Sequence, residues 1–401
     1  TKGRKIKLEK SNLKIKWNDF IKLGKQYNKK IKYNYKGNEV AAILYSGGTT
    51  GYPKGIELTN LNFNSLAMQS FEACNCLKEK DKSLSIMPVF HGFGLGICIH
   101  TVQYFGGTCV LLPQFSSKTF DKLLKKYKPN IIAGVPTLYE ALLKNEKLNG
   151  YDLSFLKGVI SGGDSLSVSL KKKVDKFLKE HGANIQIREG YGLTECVTGS
   201  CLTPINYYRE GSIGIPYPDT YYKIVKINTE EELPYGEDGE IVISGPSVMK
   251  GYLDDENETN LTLKKHKDGL IWMHTGDLGY MDKDGFVYFK QRIKRVIVSS
   301  GYSLYPQYIE NIIDSNPNVV MSCVIGLPHE YKGQVIKAFI ILKNGIKPDK
   351  DILKEIKEYC VKNLARYSWI YEYEFREELP KTLVGKIAYT KLEEEEKNKN
   401  G

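Results

Sequence analysis

The sequence has little of what metal-binding, disulfide-stapled or membrane-spanning proteins need. Its eight cysteines, Cys74, Cys76, Cys98, Cys109, Cys196, Cys201, Cys323 and Cys360, are scattered, with no CxxC pair and no secretion-style spacing. That argues against a metal cluster or a disulfide framework and for reduced thiols in a cytoplasmic setting. Six histidines are dispersed, and none falls in an HExxH pattern. No apolar run reaches the roughly 18–20 residues of a membrane span, and no signal peptide with an apolar core and cleavage site is present. The expectation is a soluble protein, peripheral to a membrane at most. No internal repeat is evident, and low complexity is confined to the tail EEEEKNKNG.

The net charge of +11 hints at nucleic acid until it is located. Residues 1–37 carry 13 Lys and Arg against two acidic residues, and the rest of the chain is balanced at 45 against 45. The excess belongs to a basic arm without a groove-reading motif, so a solvated linker is expected there and no specific nucleic-acid partner. The chain starts at Thr1 inside this Lys-rich stretch, which leaves open whether its natural start lies further upstream. With 401 residues, 41% of them hydrophobic, there is enough chain for a sizeable core in two or more lobes.

From about Glu39 the pattern alternates between strand and helix. VAAILY is a short buried strand, and NFNSLAMQSF has helical spacing after a Thr59/Asn60 cap. There follow the helix TFDKLLKKY, the strand NIIAGV, the helix PTLYEALLKN, the strand GVISGG, the helix SLKKKVDKFLKEH and the strand NIQIREGYG. This predicts an α/β layered core. Between about 211 and 292 short alternating strands with turns such as GEDGE and DKDGF predict a β-rich subdomain. After Arg292, VIVSSG, PQYIENIID, VVMSCVIG, VIKAFIIL and DKDILKEIKEYCVKNLA read as a small α+β unit.

The stretch ILYSGGTTGYPKGIELT, residues 43–59, packs glycines, hydroxyls, a proline and a lysine between two apolar runs. Gly47, Gly48 and Gly51 lack Cβ atoms, so successive backbone N–H groups can converge on an anion. Ser46, Thr49 and Thr50 add hydroxyl donors, and Lys54 adds charge. A Walker A loop would need Gly-Lys-Ser/Thr opening a helix directly; here Tyr52-Pro53 precedes Lys54 and a strand intervenes. The proline stiffens the return of the loop and leaves Lys54 on its rim. On its own the stretch is a polyphosphate cradle or an ordinary hairpin.

Four further segments follow in order: GYGLTE (190–195), HTGDLGYMDKDGF (274–286), RIKRVIVSSGYSLYP (292–306) and LPKTLVGKI (379–387). Together with the loop they resemble the adenylate-forming superfamily, which includes acyl-CoA synthetases, nonribosomal adenylation domains and luciferases. The resemblance runs from about residue 39 to 392. It implies a large adenylation core over 1–292 and a small mobile α+β C-terminal domain over 293–401. It also implies a carboxylic acid, ATP and CoA as reactants, with Mg²⁺ on the phosphates.

By that resemblance Thr194 meets the α-phosphate and Glu195 is the carboxylate ligand for Mg²⁺, a hard cation that prefers oxygen. Tyr191 lies against adenine, beside Gly163 of SGGDS, and Asp277 takes the ribose hydroxyls with help from Arg292. Lys386 bridges the attacking carboxylate and the α-phosphate, where a fully protonated ammonium offsets developing charge. Lys294 matches the hinge about which the small lobe turns between half-reactions. Gly301 matches the loop lining the pantetheine tunnel, and His91 is assigned to the acyl pocket or its gate.

The departures are specific. Ser46-Gly47 replaces Thr-Ser, Gln291 replaces a glycine, Arg295 an acidic residue and Tyr389 an arginine. The N-terminal layer that family members carry before the phosphate loop is missing. The stretch MPVFHGFGLGICIH (87–100) offers no aspartate for an amino-acid substrate, which favours an uncharged acyl or aryl tail. The chain looks most like bacterial fatty acyl-CoA ligases acting on medium or long chains. Two alternatives remain open: an acyl-AMP ligase loading a carrier protein, and a truncated non-catalytic nucleotide- or acyl-binding relative.

Overall fold

The computed structural model describes residues 15–26, 34–46, 53–112, 115–381 and 387–400, and the chain divides into two units, Thr1–Gly37 and Asn38–Gly401. In the first, a helix Trp17–Lys25 has no buried residue, and Trp17 and Phe20 stand exposed with their rings 5.9 Å apart. The other structural statements below concern the second unit.

Its centre is a seven-stranded sheet in the order Thr108–Leu111, Lys82–Ser85, Ile131–Gly134, Gly158–Ser161, Ile187–Tyr191, Cys201–Leu202, Ile215–Pro216. The first five strands are parallel and the last two antiparallel. Period-2 alternation divides the strand residues between two cores. Ile131, Ala133 and Ile160 pack with Phe63, Leu66 and Phe93 on one face. Ile132, Val159 and Ile187 pack with Phe120, Leu138 and Val174 on the other. A parallel sheet covered on both faces is what near-continuous apolar strands require.

The helix Asn60–Cys74 begins at Thr59, whose hydroxyl accepts from Asn62 N (3.2 Å) while the Asn62 side chain accepts from Thr59 N (2.8 Å). Its start therefore falls at the expected cap. Asn62 Nδ2 also donates to Pro246 O (2.8 Å) and Val248 O (2.7 Å), which ties the helix to the β-rich segment.

That segment is a five-stranded antiparallel sheet built from Tyr221–Val225, Gly239–Ser244, Leu263–Lys265, Ile271–Met281 and Val287–Arg292. Beyond it, Ile297–Ser299, Tyr302–Leu304, Val319–His329, Gly333–Leu342 and Glu372–Phe375 form another sheet, covered by helices Pro306–Asp314 and Lys350–Asn363 with a separate hydrophobic cluster.

Three stretches differ from expectation. VAAILY forms its strand, but only Leu44 in it is buried, while Val40, Ile43 and Tyr45 stand exposed on the hairpin. Residues Phe93–Thr101 wind into a π-helical turn, a form without a periodic sequence signature that concentrates at functional sites. The acidic-basic tail is helical over Tyr389–Asn400. Leu392 and Glu396, four residues apart on one face, are both buried there, and Glu396 meets the buried Lys337 at 2.8 Å.

Candidate active site

The hairpin joining Val40–Ser46 to Lys54–Thr59 sets Ser46 opposite Lys54 in register, so the glycine-rich loop is held at both ends by paired strands. Gly47, Gly48, Thr49, Thr50 and Gly51 lie outside the described residues. Lys54 ion-pairs with Glu258 on the helix Glu256–Thr262, and its ammonium lies 5.1 Å from the Tyr252 ring centroid. Tyr252, held beside this hairpin by pairing with Ile56, donates its hydroxyl to Glu195 Oε1 at 3.0 Å. Burial raises the Tyr252 pKa, which keeps the phenol protonated as a donor.

A chain Glu258–Lys54–Tyr252–Glu195 thus joins the rim of the loop to the expected metal carboxylate. Neither Tyr252 nor Glu258 is visible as a site residue in the sequence, because the GY and NET segments that carry them match no spacing rule.

Thr194 and Glu195 open a single 3₁₀ turn, Thr194–Cys196. The chain leaves it through Val197 and Thr198 at φ 54° and 88°. Positive φ in β-branched residues is strained. Thr198 N bonds back to Leu193 O at 2.7 Å, which holds the turn in place. Gly192 is obligatory here, since a Cβ would fall 1.9 Å from Thr198 O. Glu195 is partly exposed, with its backbone oxygen accepting from Met249 N at 2.7 Å. Among the described residues no cluster of three His, Cys, Asp or Glu is placed to hold a metal. A single, partly exposed carboxylate fits Mg²⁺, which takes one or two carboxylates and completes its shell with phosphates and water.

Gly163 follows and Tyr191 ends adjacent parallel strands at their carboxyl ends, where α/β sheets place ligands. Gly163 adopts φ 79° with open space at its Cβ position apart from Val135 at 3.6 Å. Tyr191 donates its hydroxyl to Asp277 Oδ2 at 2.6 Å. Arg292, cross-strand from Asp277, brings Nε to Oδ1 at 3.1 Å. Asp277 is only 2% exposed, and its charge raises the Arg292 pKa further. Three of the four residues assigned to adenine and ribose, Tyr191, Asp277 and Arg292, therefore form one contact group. Beside them burial raises Glu189 to about 7, although Leu166 N donates to its Oε1 at 2.9 Å.

Gly163, Tyr191 and Thr198 line a narrow apolar cleft, with Leu77, Phe105 and Ile131 also in its wall. Phe93, Ile97, Cys98 and Thr101 of the π-helical turn form one side, and among the described residues no charged one lines it. His91 stands before that turn, accepting from Phe93 N at Nδ1 (3.1 Å); it is absent from the cleft wall.

Lys294 is exposed in the 3₁₀ turn Ile293–Arg295. Two of the departures are partners: the guanidinium of Arg295, the last residue of this turn, lies 4.9 Å from the Tyr389 ring centroid and ion-pairs with Glu310. A cation–π contact stands where the family pattern has acid and arginine. Gln291, the third departure, is buried with neither amide atom hydrogen-bonded. Ser300 and Gly301, at φ 51° and 82°, make a two-residue turn between paired strands, with open space at the Gly301 Cβ position. Lys386 lies outside the described residues, but its flanks are paired through Lys381–Ile387 and through Ala388 N to Pro380 O at 2.8 Å.

The family model described as AMP-binding enzyme matches residues 4–253, and the AMP-binding enzyme C-terminal domain matches 308–386. The chain belongs to the AMP-binding enzyme family.

It is 38% identical over 368 residues to the long-chain-fatty-acid–CoA ligase of Bacillus subtilis, covering 90% of this chain and 62% of that one, so it spans under two thirds of that relative's length. Among solved structures it resembles ATP-bound MatB from Rhodopseudomonas palustris at TM-score 0.82 and 27% identity, covering 91% of this chain and 70% of that one. The apo form of MatB fits less closely, at 0.69. The Bacillus subtilis o-succinylbenzoate CoA synthetase with ATP and magnesium matches at 0.79 and 26%, covering 93% and 74%.

Proposed function

We propose that this chain activates a carboxylic acid with ATP, releasing pyrophosphate, and passes the acyl group from acyl-AMP to CoA. The carrying observation is the uncharged cleft that opens beneath Gly163, Tyr191 and Thr198. A fatty acyl tail of medium or long chain gains roughly 0.8 kcal/mol per buried methylene in such a cleft, whereas an amino acid would leave its ammonium unpaired there. Similarity to a long-chain-fatty-acid–CoA ligase supports the same choice.

In this reading the loop from Ser46 to Lys54 cradles the phosphates, and Lys54 exchanges Glu258 for phosphate oxygens. Thr194 donates to the α-phosphate, while Asp277, with Arg292, accepts from the ribose hydroxyls. Glu195, oriented by Tyr252, would hold Mg²⁺, which offsets phosphate charge. Lys386 stabilises the charge that develops as carboxylate oxygen attacks phosphorus. The closer fit to ATP-bound than to apo MatB supports a lobe arrangement suited to adenylation. Turning at Lys294 then brings the Gly301 loop to the thiol's path.

The test is product analysis with ATP, a panel of fatty acids and CoA. AMP, pyrophosphate and acyl-CoA are expected in equal amounts. ADP, or an acyl-AMP that goes only to a carrier protein, would contradict the CoA reading.

A further inference from the structure

Cys74 and Cys76 bring two thiols together beside the apolar cleft. Cys74 ends the helix Asn60–Cys74, and Asn75 turns the chain through φ 47°, a left-handed conformation that asparagine tolerates. Cys76 thereby folds back, and the two Sγ atoms lie 3.3 Å apart. Cys74 is buried and contributes to the cleft wall, while Cys76 is partly exposed.

A helix C-terminus ordinarily disfavours a thiolate, because its carbonyls point negative charge at it. Here Arg188 answers those carbonyls, donating from Nη1 to Cys74 O (2.6 Å), from Nη2 to Ala73 O (2.7 Å) and from Nε to Thr203 O (2.6 Å). The buried guanidinium leaves a positive charge beside both sulfurs.

The hydrogen bond from Cys74 lowers the Cys76 pKa, with Arg188 and Lys157 assisting against burial and Asp81. The same hydrogen bond, with burial, pushes Cys74 well up. Burial raises every other cysteine, Cys98 to about 12 and Cys196 and Cys360 to about 11, with Cys109, Cys201 and Cys323 also up. Cys76 is thus the one thiol poised to react, with a resolving partner in contact.

We propose that Cys74 and Cys76 form a peroxide-oxidisable pair whose disulfide reshapes the wall of the acyl cleft. The Cys76 thiolate attacks one oxygen of hydrogen peroxide. The O–O bond breaks, giving a Cys76 sulfenic acid and hydroxide. The Cys74 thiol then attacks the Cys76 sulfur; the S–S bond forms, the S–O bond breaks, and the thiol proton leaves with the departing hydroxide as water. Two thiols lose two electrons and two protons, and the peroxide becomes two waters. Closing the gap to a disulfide of about 2.05 Å shifts the sulfurs by about 1 Å, and the Cys74 side of the cleft moves with them. The effect on the cleft rests on the acyl reading above; the oxidation chemistry does not.

The test uses the full chain, reduced, treated with hydrogen peroxide, alkylated and digested with trypsin. One peptide, Gly55–Lys78, holds both residues and no other cysteine. It should lose the mass of two hydrogens and resist alkylation until a dithiol is added, while the other six thiols alkylate in denaturant. Cys74→Ser should leave a Cys76 sulfenic acid that dimedone traps, and Cys76→Ser should abolish both products. A peptide that stays fully alkylatable, or dimedone capture at Cys74 in the Cys76→Ser variant, would overturn the proposal.

In parallel, acid-dependent ATP–pyrophosphate exchange is measured with long and short acids before and after oxidation. The long-to-short ratio should fall several-fold and recover with dithiol. Disulfide formation with an unchanged ratio would refute the link to the cleft. A reduced protein that exchanges with no acid contradicts the activity instead, and the mass readout still decides the redox pair.

Discussion

Neutralising Asp277 separates nucleotide recognition from folding. The carboxylate accepts from the Tyr191 hydroxyl at 2.6 Å and pairs with Arg292 at 3.1 Å, at 2% exposure. Asp277→Asn keeps the shape and removes the charge. Hydrogen bonds to a charged group contribute about 1.5–3 kcal/mol and neutral ones about 0.5–1.5, so two weakened contacts cost folding about 2–3 kcal/mol, read as a lower urea midpoint.

If two ribose hydroxyls donate to the same carboxylate, ATP loses a similar 2–3 kcal/mol, roughly 30- to 150-fold in affinity. The assay is exchange kinetics with ATP against 2′,3′-dideoxy-ATP. The parent should prefer ATP by more than that factor, and Asp277→Asn should cut the preference by roughly 30- to 150-fold. An equal preference in both proteins would refute the ribose assignment, whatever happens to stability.

Other outcomes follow from the same geometry. Glu189, raised to about 7 from an ordinary 4.5, binds a proton on folding between those values, so its contribution falls as pH rises through them. Glu189→Gln should remove a loss of about 2–3 kcal/mol between pH 4.5 and 8, seen by comparing parent and variant urea melts across that range. Lys337, buried among Glu372, Glu374 and Glu396 at 2.6, 2.9 and 2.8 Å, should cost at most about 3–5 kcal/mol as Lys337→Met, because the buried Glu396 then keeps only the half-exposed Lys399 at 2.7 Å; thermal melts would show it. Lys294→Pro, which fixes φ at the turn, should spare ATP–pyrophosphate exchange and depress thioester formation. An unchanged ratio of the two rates, with intact circular dichroism, would reject the hinge.

The elements legible in the sequence were those with a period or a cap. Thr59 announced a helix start, and the runs around Ile131 and Val159 announced buried strands, because local pattern and tertiary burial agree there. The π-helical turn at Phe93–Thr101 shows only as an apolar stretch in the sequence, since it has neither period. The tail shows only low complexity in the sequence, yet one face of it buries Leu392 and Glu396. The partnership of Arg295 with Tyr389 joins residues 94 apart, so each looked like an isolated departure. Asp277, Arg292 and Tyr191 were found through motifs and do converge. Tyr252 and Glu258 reach the site only through strand pairing and a neighbouring helix, which one sequence does not display.

The most direct measurement is acid-dependent ATP–pyrophosphate exchange by the parent and by Lys386→Ala, beside thioester formation from supplied acyl-adenylate. The parent should exchange with fatty acids. The variant should lose roughly 10²–10³-fold in exchange, the scale of one transition-state electrostatic partner, and keep the thioester step. A parent silent with every carboxylic acid, or a variant equally impaired in both half-reactions, would contradict carboxylate activation through Lys386.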